Sequence, residues 1–164
     1  AWDRAEAERA VAALSKLGVS YVEQPLDPDD LAGHGSLRDR GVGIAVDETL
    51  ATRQVADVLA AEAADVLVLK PMSLGGPDRT REAVRKVDQA GVAAVVSTTI
   101  DGVVARTGAV HVAARLAPLP ACGLATGSAL DADLAPDPAP VTDGRVRVPD
   151  GPGLGVDPGE VEDP

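Results

Sequence analysis

Apolar residues along this chain come in short pulses, each closed by a polar tip. Residues 19–25 (VSYVEQP) form the first, and 42–48 (VGIAVDE), 64–71 (ADVLVLKP) and 91–98 (GVAAVVST) repeat the form. A weaker fifth run is 121–126 (ACGLAT). Short apolar runs bounded by turn formers read as buried strands. Between the first four runs lie stretches with apolar residues three and four apart, the period of a helix with one buried stripe. Residues 51–63 place Val55, Val58, Leu59 and Glu62 one turn apart, predicting a single helix. Residues 77–90 open with Pro77 and Asp78, which suit a first helical turn. A helix over 3–17 has no strand before it, and another over 102–116 is cut off by Pro118.

The polar tips recur with an even step: 24 residues from Glu23 to Asp47, 23 to Lys70 and 27 to Ser97. Each step is one βα unit of a parallel sheet. A (β/α)₈ barrel averages roughly 31 residues per unit. Five strands behind an orphan helix predict an α/β fold: parallel strands alternating with helices, as the second half of such a barrel. On this reading residues 1–130 are a partial barrel. Residues 131–164 are a Pro-, Gly- and Asp-rich segment around one alternating stretch, RVRV. Its Pro-fixed turns predict ordered, extended chain that packs against something at least up to Pro158.

Composition narrows the classes. Trp2 and Tyr21 are the only aromatics, while the chain holds 29 Ala and 23 Val. That suits thin helices on buried strands and gives no platform for stacking bases. A net charge of −11 argues against a nucleic-acid phosphate binder. Only Lys16, Lys70 and Lys86 are lysines, and high Asp with low Lys points to adaptation to concentrated salt. A single cysteine, Cys122, precludes an internal disulfide, so a reducing, cytoplasmic compartment is expected. No apolar run approaches the ~20 residues that span a bilayer. The chain opens on Ala1 rather than Met, so it is expected to start after processing or within something longer.

Functional groups of βα folds sit at the carboxyl ends of strands. Here those ends carry Glu23, Asp47 with Glu48, Lys70, Ser97 with Thr98, and Gly123. Two carboxylates suit a hard cation such as Mg²⁺ (or Mn²⁺), and a lysine in a walled pocket beside it could serve as a base. Each acid taken alone has a plainer reading as a solvated loop residue. Lys70, ending VLVLK in a chain that largely avoids lysine, resists that reading best. Gly75 and Gly76 lack a phosphate-loop pattern around them and read as a loop giving room. His34 in a Gly-rich loop and His111 within a helix have no partner at ligand spacing. Cys122 reads as a buried, inert thiol.

YVEQP, IAVDE and VLVLKP, in that order and spacing, resemble the enolase superfamily in its muconate-lactonizing subgroup. The resemblance implies a capping domain over a (β/α)₇β barrel, of which this chain is the C-terminal half. That superfamily is known for a Lys or His base with Mg²⁺ stabilising an ene-diolate. By resemblance, Glu23 and Asp47 are the second and third metal carboxylates, and Lys70 is the catalytic lysine on the far side of the substrate. Glu48 stands beside the ligand, or is an alternative ligand. The family's first metal ligand and its partner lysine lie on strands that would precede Ala1, so half an active site is expected here, inactive alone.

Within the subgroup, VVSTTID and ACGLATGSALDADLAPDP are most similar to the o-succinylbenzoate synthases of menaquinone biosynthesis. The implied reaction is a dehydration: a proton leaves the carbon α to a carboxylate and a β-hydroxyl departs as water. Ser97, Thr98, Asp101 and Gly123 are then expected to line a small-molecule carboxylate site. Asp101 stands where muconate-lactonizing enzymes and dipeptide epimerases often have Glu. For Ser97 and Thr98, capping the next helix is a plain alternative. The competing readings are a racemase or epimerase of acylated amino acids or dipeptides, a muconate cycloisomerase, and a non-catalytic fragment.

Overall fold

The computed structural model describes residues 1–116, 118, 120–157 and 159. The chain runs α1 (Arg4–Leu14), β1 (Tyr21–Glu23), α2 (Leu31–Leu37), β2 (Gly43–Val46), α3 (Thr49–Thr52) and α4 (Val55–Ala60). It continues through β3 (Val66–Leu69), α5 (Pro71–Leu74), α6 (Pro77–Gln89), β4 (Ala93–Val96), α7 (Val103–Ala113), β5 (Val141–Thr142) and β6 (Arg145–Val146). The first four strands form one sheet in chain order. β1 is parallel to β2, with Glu23 opposite Ala45, and β2 is parallel to β3, with Ala45 opposite Val66. Chain order and parallel sense are what successive βα units produce. By compactness the chain divides in two: Ala1–Leu69 with Glu82–Ala94, and Lys70–Arg81 with the chain from Val95 onward.

In the first unit, α1 starts on a reciprocal cap. Asp3 Oδ1 accepts from the Glu6 N–H at 2.8 Å, and Glu6 Oε2 accepts from the Asp3 N–H at 3.2 Å. Ala7 and Val11, one turn apart, pack with Leu26, Leu37, Val42 and Ile44. β2 and β3 are apolar throughout and buried, as strands covered on both faces must be.

Two expectations fail here. The Gly-rich stretch around His34 is not a loop but α2, whose first turn is capped by Asp30 accepting from the Gly33 N–H at 2.8 Å. Residues 51–63 are not one helix. The chain breaks at Arg53, and α4 restarts on a second reciprocal cap between Gln54 and Asp57.

The second unit centres on α7, eight of whose 11 residues are buried. Its core joins Val96, Ala109, Val110, Val112, Ala113, Leu124 and Ala139, with Val146 and Val148 against it. Among the described residues the expected fifth strand shrinks to one parallel bridge, Ser97 with Gly123. Of RVRV, Arg145 and Val146 form strand β6. β6 pairs antiparallel with β5 around Asp143 and Gly144, both at positive φ (50° and 71°), as a two-residue Asp-Gly turn requires. Pro158, up to which order at least is expected, lies outside the described residues.

Candidate functional site

In the first unit, the parallel sense of β1 and β2 puts both acids at one end of the sheet. Glu23 is the last residue of β1 and is exposed, whereas Asp47 follows β2 directly and is buried. Since Glu23 lies opposite Ala45, Asp47 stands two residues further on, in the same phase of the pleat. Glu48 is exposed and leads into α3 without a capping bond from its side chain.

Between the two acids sits a residue that the sequence did not single out. Gln24 has a φ of 43°, rare for a residue with a Cβ, and its N–H donates to Ala45 O at 2.8 Å. Its Oε1 accepts from the Asp47 N–H at 2.9 Å and from the Thr49 N–H at 3.2 Å. Backbone N–H groups only donate, so the amide orientation is settled by its partners. The two N–H groups of its Nε2 are shared among Thr49 Oγ1 at 2.9 Å, Leu26 O at 3.2 Å and His34 Nε2 at 3.2 Å. His34 Nδ1 faces Asp30 O at 2.9 Å and must donate there, leaving Nε2 to accept. Burial of His34 pushes its pKa down, which suits this neutral tautomer. Asp30 is held below the usual carboxylate range by its hydrogen bond from Arg4.

The other expected site residues belong to the second unit. Lys70 follows β3 directly, opens α5 and is half-buried. Ser97 and Thr98 close β4, and their hydroxyls are spent on the neighbouring chain. Ser97 Oγ donates to Gly123 O at 3.2 Å, and Thr98 Oγ1 meets Thr126 Oγ1 at 2.7 Å. A Cβ on Gly123 would lie 2.5 Å from Ser97 Oγ, so this close approach needs glycine. Neither hydroxyl caps α7. The Val103 N–H at its start is taken by Asp133 Oδ1 at 2.8 Å, a partner 30 residues away that sequence spacing could not reveal. Asp101 is buried and accepts from the Thr99 N–H at 3.1 Å and from the Thr99 hydroxyl.

The remaining candidates have structural work. Gly75 and Gly76, at φ of 88° and 108°, terminate α5, and Gly76 O accepts from Thr80. His111 donates to Leu154 O at 3.3 Å. Cys122 is half-buried beside an apolar cavity of about 490 Å³ lined by Val110, Leu124, Val146 and Val148 among others, and burial pushes its thiol pKa up. A raised pKa keeps a thiol protonated and unreactive.

Two carboxylates at one sheet end have the right donor chemistry for a hard divalent cation. They are too few to enclose one. Among the described residues, no group of three or more His, Cys, Asp or Glu side chains could hold a metal ion. Nor is any helix among them long and apolar enough to cross a membrane.

Parallel strands alternating with helices, with charged groups at the strand ends, are the architecture of a βα-barrel enzyme domain. The chain belongs to the Enolase C-terminal domain-like family, whose pattern matches residues 1–161. It is 42% identical over 144 residues to an o-succinylbenzoate synthase of Thermobifida fusca, covering 84% of this chain and 43% of the relative. It is 33% identical over 164 residues to muconate cycloisomerase 1 of Rhodococcus opacus, covering 95% and 43% respectively. The crystal structure of muconate cycloisomerase from Pseudomonas fluorescens superposes with a TM-score of 0.88 at 28% identity, over 96% of this chain and 44% of that one. The chain therefore spans less than half the length of the curated relatives it matches.

Proposed function

We propose that this chain is the C-terminal portion of a Mg²⁺-dependent carbon–oxygen lyase of the o-succinylbenzoate synthase type, acting in the cytoplasm in menaquinone biosynthesis on a small-molecule carboxylate. The observation that carries the proposal is the pair Glu23 and Asp47 at one end of adjacent parallel strands. The choice of branch is supported by the higher identity to the synthase than to the cycloisomerase, 42% against 33%. Muconate cycloisomerase stays as the second reading on the strength of the structural superposition.

Glu23 and Asp47 would hold the metal together with a carboxylate from the part of the protein that precedes Ala1. When bound, Mg²⁺ would supply positive charge beside a substrate carboxylate. Lys70 holds its proton and offers an ammonium to the developing enolate charge, and a preplaced cation needs no reorganisation at that moment. By resemblance to the family, a second lysine, outside this chain, would remove the α-proton and pass it to the departing hydroxyl. Ser97, Thr98, Asp101 and Gly123 shape the wall on the substrate's carboxylate side, Gly123 by letting the two chain segments close up.

The test is turnover by the complete protein that carries this chain. The β-hydroxy carboxylate precursor of o-succinylbenzoate is expected to lose water, whereas muconate and dipeptides are turned over slowly or not at all. Lys70→Ala should abolish dehydration with Mg²⁺ affinity nearly unchanged. Lys70→Arg should not restore it, since a guanidinium is larger and spreads over a plane the charge that an ammonium holds at one point. Faster cycloisomerisation than dehydration, or full turnover by Lys70→Ala, would overturn the proposal.

A further inference from the structure

We infer that Gln24 is a positioning residue for the strand-end acids: its side-chain amide fixes the backbone at Asp47 and so sets how that carboxylate meets a divalent cation. The inference rests on the reading above that Asp47 is a metal ligand.

Three observations converge on it. The first is location: Gln24 is the residue after Glu23, and its side chain reaches across to the end of β2. One residue thus touches the chain at both acids. The second is the number of bonds on a single amide. Oε1 takes the N–H groups of Asp47 and Thr49, which flank Glu48 at the entry to α3, while Nε2 reaches Leu26 O, Thr49 Oγ1 and His34 Nε2. Thr49 and His34 are fully buried, so these partners have no water to fall back on. The third is the backbone of Gln24 itself. At φ 43° it occupies the left-handed region at a cost that a residue with a Cβ does not meet without compensation.

The amide is in turn held from behind. Because His34 Nδ1 donates to Asp30 O, His34 Nε2 is an acceptor and admits only the N–H side of the Gln24 amide. A flipped amide would put Oε1 against that lone pair and against Leu26 O, and Nε2 against two backbone N–H groups, four contacts wrong at once. Thr49 Oγ1 also donates to Pro28 O at 3.0 Å, which ties the loop after β1 into the same cluster. Groups that orient a ligand from outside the metal's own contacts typically change metal affinity by about 10- to 100-fold when removed.

The experiment is Mn²⁺ titration calorimetry on the complete protein that carries this chain, with the melting temperature of every variant recorded alongside. Gln24→Met keeps the volume and removes every bond of the amide, and is expected to weaken Mn²⁺ binding about 10-fold. Thr49→Val removes only a hydroxyl that orients the amide, and is a milder variant should Gln24→Met not fold; a loss of about 3-fold is expected. Asp47→Asn tests the ligand reading and should weaken binding more than either. Val58→Ala, a buried position on α4, lowers stability and should leave Mn²⁺ affinity as it was. Wild-type affinity in Gln24→Met and Thr49→Val beside a weakened Asp47→Asn would overturn the role of Gln24 and leave the ligand reading standing. An equal loss in Val58→Ala would overturn it too, by making the effect one of general stability. Wild-type affinity in Asp47→Asn would remove the ligand reading and this inference with it.

Discussion

Backbone groups in the first unit are paired along strands and capped helices, with side chains added at Ile44, Asp47 and Thr49, whereas over residues 120–157 of the second unit side chains serve the carbonyls of Gly123, Ala139 and Leu154. Asp65 illustrates the first case as a supplement to the ladder, accepting from the Ile44 N–H at 2.8 Å beside the pairing of β2 with β3. Arg106 illustrates the second. Its guanidinium is buried, donates twice to Ala139 O at 3.2 Å and reaches Asp137, which itself accepts from the Ala139 N–H at 2.8 Å. One side chain there does what a strand does elsewhere. A buried carbonyl needs a donor whatever supplies it, but a ladder spreads that dependence over many residues and a guanidinium concentrates it in one. Away from the Gln24 amide, the first unit should therefore tolerate single polar changes better than the surroundings of Arg106.

The sharpest break is expected at Arg106. Arg106→Met keeps the stem and removes the donors, and should cost about 3 kcal/mol, the lower end for a broken buried pair because Asp137 remains partly exposed. Urea unfolding reads it, and a loss below about 1 kcal/mol would mean water can replace the guanidinium. Next comes Gly123→Ala, which drives a Cβ against Ser97 Oγ and should cost about 1–3 kcal/mol as overpacking. In the background of Ser97→Ala the same change should cost distinctly less. An unchanged cost would place the crowding in the backbone instead.

On the first unit's side, Asp3→Ala removes one cap of α1 and should cost only about 1 kcal/mol in thermal unfolding. The gentlest perturbation is pH. Burial lowers the folded pKa of His34, so as pH falls through the ordinary value of 6.5 the unfolded chain takes up a proton there and the folded chain does not. Stability tied to His34 is thus present above that pH and lost below it. Urea midpoints measured on either side should show a steeper decline for the wild type than for His34→Gln. Parallel declines would mean that His34 takes up its proton in the folded protein.

The same contrast governs what could be read from the residues. The four parallel strands were legible because each is a short apolar run with a charged or hydroxyl tip, and the step between tips has the length of a βα unit. The two acids and Lys70 were legible for the same reason, as charges where an apolar run stops. α2 was not, since LAGHGSL carries two glycines and its helix depends on a cap from Asp30 and on burying Gly33, His34 and Leu37. Gln24 was not, because an uncharged amide beside a proline has no spacing signal and its main partners lie 23 and 25 residues away. The Asp143-Gly144 turn had a signal that went unused: a Asp-Gly pair before an alternating stretch marks a hairpin. Arg106 had none, since nothing in a helical Arg shows that it will be buried.

The division into units also bears on the order in which the chain can be made. The segment Lys70–Arg81 belongs to the second unit, yet it precedes Glu82–Ala94, which belongs to the first. During synthesis the first unit cannot be finished until twelve residues of the other have already emerged. Those twelve then wait for the chain from Val95 onward. Domains made of one continuous stretch can fold as they leave the ribosome, one after another. Here the two compact units interleave along the chain, and neither can be excised as a continuous stretch of it.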